Sequence, residues 1–348
     1  MVSEYSIIHA DVIDGLAQID DGSVQTCVTS PPYWGLRDYG VDGQLGLEKT
    51  PEEYVERMVV VFREVRRVLR DDGTLWLNLG DCYASQGCGG GSPVDNRKPE
   101  YGRKGYDGDK VRGREQGTKT RNTVVSGLKP KDLVGIPWRV AFALQADGWY
   151  LRQDIIWHKS NPMPESVRDR CTKAHEYIFL LTKNARYYYD EKAIAEPLNS
   201  SPDSWGRHSK KDHGLAAVNP RPMFGPGRDG RDGTEWGNSK TRNRRSVWTI
   251  ATQPFPEAHY ATYPPKLIEP CILAGSAPGD VVLDPFLGSG TTVMVALRHG
   301  RKAIGIELSE TNVEMAHKRI QGDMPLFNAK QIQADQGKAC VFGNRKGG

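Results

Sequence analysis

The sequence predicts an α/β fold built on a mostly parallel sheet, and three observations carry that prediction. Short β-type runs at 24–28 and 281–283 each empty into a loop rich in Pro or Gly. An amphipathic helix at 51–69 separates the first run from another apolar run at 74–79. The same alternation of strand and helix returns after Pro264. This is the βαβ rhythm of a parallel sheet, and 348 residues are enough to bury its core.

Taken in order, residues 5–9 read as a strand, 12–19 as a short helix and 24–28 as a strand. The helix at 51–69 places Tyr54, Val55, Met58, Val61, Phe62, Val65 and Leu69 close to the i, i+3, i+4, i+7 spacing of one buried face. Asp71-Asp72-Gly73 is expected to stop it, and 74–79 is the next buried strand. A helix at 136–146 and strands at 150–159 and 176–182 follow. Beyond Pro264 come a helix at 266–273, a strand at 281–283, a helix at 291–299, a strand at 302–308 and a helix at 311–320.

Two stretches break the rhythm. Residues 84–130 lose periodicity, and Lys and Arg outnumber Asp and Glu there, as in a solvated flexible insertion or a loop that orders on nucleic acid. Residues 193–262 are again irregular and basic, with Trp205, Phe224 and Trp236 interleaved, a mixture suited to phosphate and base contact. The tail, 323–348, reads as loose and polar.

A net charge of +4 does not by itself prove a nucleic-acid partner. The six cysteines (Cys27, Cys82, Cys88, Cys171, Cys271 and Cys340) include no CxxC pair, which argues against a zinc ribbon or a disulfide framework. Reduced thiols, no bound metal, no membrane and a cytoplasmic location are the expectations, since no apolar run reaches the ~18 residues of a membrane span.

The chemistry lies in two loops, each expected at the carboxyl edge of a parallel strand, where open α/β sheets bind ligands. The later one, Asp284-Pro285-Phe286-Leu287-Gly288-Ser289-Gly290-Thr291-Thr292, has glycines for close backbone approach and a helix N-terminus with free N–H groups. Thr291 stands where a phosphate-binding loop needs lysine, and Val293 where a dinucleotide fingerprint needs a third glycine. Glu307, at the end of the next strand, can accept both hydroxyls of a ribose. A ribose site without a phosphate clamp points to S-adenosylmethionine rather than NAD. In the earlier loop, Ser30-Pro31-Pro32-Tyr33, the Ser30 side chain and the Pro31 carbonyl can accept hydrogens from an exocyclic amine. The two prolines fix the backbone and remove competing N–H donors. Tyr33 offers a flat face for a base flipped out of a duplex.

In these two loops, in the strand 74–81, in Trp157-His158-Lys159-Ser160-Asn161-Pro162, in His175-Glu176 and in the stretch 259–307, the sequence resembles the DNA amino-methyltransferase family. The resemblance is to the subgroup whose catalytic motif precedes its cofactor motif, and it covers about two thirds of the chain. It implies a Rossmann-like S-adenosylmethionine-dependent methyltransferase sheet, circularly rearranged, with an inserted recognition region. No strand-like run remains after residue 320, so the third strand of the cofactor half is expected at 5–9.

The domain reading that follows is a catalytic half at 1–192 carrying the 84–130 insertion, a target-recognition region at 193–262, a cofactor half at 263–322, and the tail. By resemblance, Asp11 contacts the cofactor adenine, or else is only a helix N-terminal charge. Tyr263, Pro264 and Lys266 line the methionine side, and Phe286 packs near the adenosine. Trp157 and Asn161 wall the target-base pocket, although Trp157 would serve equally in the core. Arg242, Arg244 and Arg245 hold phosphates, read guanine edges, or serve solubility alone. Cys27 is not expected to be a nucleophile, because no Pro-Cys dipeptide occurs.

The expected activity is therefore methyl transfer to double-stranded DNA. Ser30 resembles members that modify cytosine N4, with adenine N6 as the alternative. A non-catalytic DNA-binding protein that kept the fold, and a nucleotide-dependent oxidoreductase or ATPase, are the competing classes. The sequence leaves the oligomeric state open, a dimer included.

Overall fold

The computed structural model describes residues 5–35, 43–84, 128–198, 241–253 and 263–323. Most of the 84–130 insertion, most of the 193–262 region and the 323–348 tail lie outside the described residues.

The first unit spans residues 1–189 and 246–348. Its elements are β1 (Tyr5–His9), α1 (Val12–Leu16), β2 (Val24–Thr29), α2 (Pro51–Val68), β3 (Leu69–Leu79), α3 (Ile136–Ala146), β4 (Tyr150–His158) and β5 (His175–Thr182). In the second unit, 190–245, the described elements are β6 (Glu196–Pro197) and β7 (Thr241–Arg242), which pair antiparallel. The first unit resumes with β8 (Val247–Thr249), α4 (Pro265–Gly275), β9 (Val281–Asp284), α5 (Thr291–Arg298), β10 (Lys302–Glu307) and α6 (Glu310–Asp323).

The main sheet has the order β1-β10-β9-β2-β3-β5-β4-β8. From β1 to β3 every pairing is parallel, and β5 runs against both β3 and β4. The rearrangement expected from the sequence is present: β1, first in the chain, pairs with β10, with His9 opposite Glu307. The carboxyl ends of β1, β10, β9, β2 and β3 therefore share one edge with the start of β5 and the end of β4.

Local chemistry explains the helix starts. Thr50 caps α2 by accepting from the Glu53 N–H at 3.1 Å, and Pro51 opens the helix without a wasted donor. The buried side of α2 (Tyr54, Met58, Val61, Phe62, Val65 and Val68) packs into one cluster with Leu75, Leu77, Leu79, Val140 and Leu144. β2 is buried along its whole length, as a central parallel strand must be.

Several boundaries depart from the sequence expectation. The helix after β1 ends at Leu16 rather than at 19. Asp71-Asp72-Gly73 does not stand between helix and strand but lies inside β3, where the β2–β3 register shifts and absorbs the extra residues as a bulge. Residues 247–249 fall in the stretch read as irregular, yet they form the edge strand β8 beside β4. Three residues are too short to show a period of two, so the pattern gave no signal.

Candidate active site

The two loops meet through one buried carboxylate. Asp284, at the end of β9, is 1% exposed. Its Oδ1 accepts from Thr29 Oγ1 at 2.7 Å and from the Phe286 N–H at 3.1 Å, and its Oδ2 accepts from the Tyr263 hydroxyl at 3.0 Å and from Thr292 Oγ1. Burial pushes the Asp284 carboxyl up, and these donors oppose the shift. Thr29 directly precedes Ser30, so Asp284 ties the amine-side loop to the glycine loop from beneath.

The glycine loop is folded tightly. Gly288 and Gly290 take φ of 52° and 80°, the left-handed region that glycine adopts without strain. A Cβ on Gly305 of β10 would lie 2.6 Å from Leu287, so the loop rests directly on the neighbouring strand. Glu307 faces this loop: its Oε2 accepts from Gly288 N at 2.7 Å, and its Oε1 accepts from Ser309 N at 2.9 Å and Asn312 Nδ2 at 3.2 Å. Behind the loop, Arg319 Nη1 of α6 donates to the Ser289 carbonyl at 3.2 Å, and to Ser289 Oγ and Thr291 Oγ1 at 2.7 Å each.

The amine-side loop is braced on several sides. Tyr54 of α2 donates to the Pro32 carbonyl at 2.8 Å, and buried Trp34 donates to the Glu48 carbonyl at 3.0 Å. The Tyr33 ring lies against Gly80, where a Cβ would come within 2.5 Å of it. The Tyr33 hydroxyl donates toward Glu176 Oε2 at 2.8 Å and Asn78 Oδ1 at 3.1 Å, and it accepts from Ser30 Oγ at 3.3 Å. Glu176 also holds Lys159 in an ion pair, and the Lys159 ammonium stands 4.6 Å from the centre of the Trp157 ring. Burial first, and the Glu176 charge second, push the Tyr33 hydroxyl well up, so it stays protonated.

The remaining expected site residues are distributed as follows. Asp11 follows β1 beside Glu307 and caps α1, accepting from Ile13 N at 2.9 Å. Pro264, Pro285, Thr291 and Thr292 are buried, Phe286 is half-buried, and Lys266 is exposed in the first turn of α4. Trp157 is 3% exposed and donates to the Ile250 carbonyl at 2.8 Å, which joins β4 to the segment after β8. Asn161 exchanges hydrogen bonds with Thr252, accepting from its N–H at 2.8 Å and donating to its carbonyl at 3.1 Å. In the second unit, Arg242 and Arg245 both pair with Glu196, and Arg244 is half-buried. Cys27 is fully buried and its thiol is pushed up by burial and by Asp284, which suits packing and not nucleophilic attack.

The sequence reading gave no site role of their own to Thr29, Tyr54, Asn78, Gly80, Lys159, Glu176 and Arg319. The motif containing His175-Glu176 was the available signal. The partners of Glu176 come from the loop after β2, from β3 and from the residue after β4, which local spacing does not reveal. Among the described residues no helix is long and apolar enough to cross a membrane, and no group of three or more His, Cys, Asp or Glu could hold a metal ion.

Comparison with known proteins identifies the family and the fold. A family model described as DNA methylase, the N6_N4_Mtase family, matches residues 24–318. The type II methyltransferase M.Cfr9I of Citrobacter freundii is 44% identical over 318 residues, covering 91% of this chain and 88% of that protein. M.SmaI of Serratia marcescens is 45% identical over 314 residues, 90% of each chain. Among solved structures, the cytosine-N4-specific PvuII DNA methyltransferase shares the fold with a TM-score of 0.57 at 18% identity, over 94% of this chain and 93% of that one. A Thermus thermophilus protein described as a putative DNA modification methylase, complexed with S-adenosyl-L-methionine, shares it with a TM-score of 0.55 at 22% identity, over 92% and 95%.

Proposed function

The chain belongs to the N6_N4_Mtase family of DNA methylases, and from that premise we propose that it transfers a methyl group from S-adenosylmethionine to cytosine N4 of duplex DNA in the cytoplasm, as the methyltransferase of a type II restriction-modification pair. The observation that carries the reading is the Asp284 junction. It sets a loop of amine-hydrogen acceptors beside a loop shaped for a nucleoside.

The residues present suit that cofactor. Glu307 and Asp11 offer carboxylates at adjoining strand ends, matched to a ribose diol and an adenine amine. Gly288 and Gly290 allow the backbone to come close. When bound, S-adenosylmethionine supplies an electrophilic methyl on a sulfonium that leaves as a neutral thioether. The work of the protein is to orient. Ser30 Oγ and the Pro31 carbonyl would accept the two hydrogens of the target amine, drawing its lone pair out of conjugation with the ring and toward the methyl. After transfer the nitrogen carries a positive charge, and one of those hydrogens leaves it as a proton to solvent water, since a hydroxyl and an amide carbonyl hold the hydrogens without being basic enough to keep one. Pro32, pinned by Tyr54, keeps the acceptors from drifting. Ser30 favours cytosine N4, and adenine N6 is the second reading, since both bases present a conjugated amine.

The test is nucleoside mass spectrometry on DNA from a methylation-deficient host expressing the chain, with Ser30→Ala and Gly288→Asp controls. N4-methylcytosine that vanishes in the controls is the expected result. N6-methyladenine would overturn the choice of base. Absence of both from a folded, cofactor-binding protein would overturn the DNA substrate.

Arg319 gives a separate expectation. Arg319→Ala removes three hydrogen bonds behind the loop without touching its open side, so S-adenosylmethionine affinity should fall roughly tenfold, the equivalent of about 1.4 kcal/mol. Equilibrium dialysis measures it, and an unchanged Kd would show that the loop holds its shape unaided.

A further inference from the structure

We propose that Glu176 acts as a positioning residue that fixes the direction of the Ser30 hydroxyl, so that Ser30 presents lone pairs and not its proton to the target amine. The inference rests on the reading of Ser30 as an amine acceptor and adds a group that never touches the base.

The argument is a count of protons along a chain of four groups. Glu176 stands at the start of β5 with its side chain 14% exposed, and its Oε1 is taken up by the Lys159 ammonium. A carboxylate paired in this way can only accept. Its Oε2 lies 2.8 Å from the Tyr33 hydroxyl, which must therefore donate. The other neighbour of that hydroxyl, Asn78, also presents an acceptor, because its Nδ2 is committed to the Tyr177 carbonyl at 3.0 Å. The amide orientation is thus set by its partners.

A phenol has one proton. With two acceptors claiming it, the Tyr33 oxygen can face Ser30 only as an acceptor, and the 3.3 Å contact between them is a bond that Ser30 donates. The serine proton is then directed inward, and both lone pairs of Ser30 Oγ are left for hydrogens of the amine. The opposite polarity would aim the serine proton at the nitrogen lone pair that must attack the methyl, and would quench it. The direction runs without ambiguity from Lys159 through Glu176 and Tyr33 to Ser30.

The diagnostic substitution is Glu176→Gln, which keeps shape but brings an amide NH2 able to donate to Tyr33. Asn78 Oδ1, the more distant of the two acceptors at 3.1 Å, is then left to compete with Ser30 for the Tyr33 proton, and the chain runs in reverse in part of the molecules, whereas Tyr33→Phe only deletes a link. Single-turnover methylation of DNA from a methylation-deficient strain, with labelled S-adenosylmethionine, compares these variants with Ser30→Ala and the Ser30→Ala, Glu176→Gln double variant. Cofactor Kd is measured for each. The expected result is a rate lower by roughly 30- to 100-fold in Glu176→Gln and roughly 3- to 10-fold in Tyr33→Phe, with Kd within about twofold of the parent. In the Ser30→Ala background, Glu176→Gln should add less than about twofold, because its route of action is gone.

A Glu176→Gln variant no slower than Tyr33→Phe, or a full multiplicative loss in the double variant, overturns the proposal while leaving the Ser30 reading intact. A Ser30→Ala enzyme as fast as the parent overturns that reading and this one together. Should Glu176→Gln fail to bind cofactor, Tyr33→Phe and Ser30→Ala make the same cycle, with strong coupling expected and simple multiplication refuting it.

Discussion

Asp284→Ala is expected to be the most damaging single change at this site, lowering stability and activity together. The substitution strips the acceptor from Thr29 Oγ1, Tyr263 OH, Thr292 Oγ1 and the Phe286 N–H at once, in a place closed to water. Each buried donor left unsatisfied costs about 1–3 kcal/mol, and the hydroxyls recover part by turning toward one another, so a net loss of about 3–5 kcal/mol is expected. In thermal unfolding that is a fall of roughly 6–15 °C in Tm. The two loops would also lose their common anchor, and a shift of about 1 Å between reacting groups is enough to slow transfer by roughly 100-fold. Asp284→Asn should be milder, since it keeps one acceptor and its NH2 can donate to a rotated threonine hydroxyl. A variant that melts with the parent and methylates at the parental rate would show that the junction is ornamental.

Gly80→Ala should have the second largest effect, and it should fall on the rate alone. The added methyl carbon would sit 2.5 Å from Tyr33 Cε2, 2.9 Å from Cδ2 and 3.3 Å from Cζ. These are atoms of a ring tethered at its hydroxyl by Glu176, so it has no easy retreat. The ring must tilt, which breaks the chain that orients Ser30 and also shifts the backbone carrying Ser30 and Pro31 away from the reacting geometry. A single-turnover rate lower by about 100-fold is expected, with S-adenosylmethionine affinity unchanged because the glycine loop is untouched. Loss of cofactor binding in step with rate would mean that the damage had spread through β3 and would refute the local account. In a Tyr33→Leu background, where the ring is absent, the same alanine should cost little.

Much of this site was legible because its motifs are contiguous. Ser30 to Tyr33 and Asp284 to Thr292 each sit on one loop after one strand, and their occurrence together, in the order of the family they resemble, is what gave them a chemical reading. The rearranged sheet was legible too, through a missing strand at one end and a surplus strand at the other. What stayed hidden was made by pairing. Glu176 reaches Tyr33 because β5 lies antiparallel beside β3, and Thr29 reaches Asp284 because β2 and β9 are neighbours. Neither adjacency leaves a mark in the local sequence. Trp157 shows the converse: an aromatic residue in a motif-like segment offered two readings, core and pocket wall, and a buried ring in contact with Lys159 is compatible with both.

The pairing of β1 with β10 also governs when the enzyme can exist. Of the two carboxylates at adjoining strand ends, Asp11 leaves the ribosome long before Glu307, and among the described residues β1 has no strand neighbour in the sheet except β10. A half-made chain therefore carries the amine-side loop but no complete cradle for the methyl donor. An edge strand must wait for everything between it and its partner to be made. Assembly of this part of the sheet is thereby tied to the synthesis of β10, and fragments cut short before it leave β1 without the strand it pairs with.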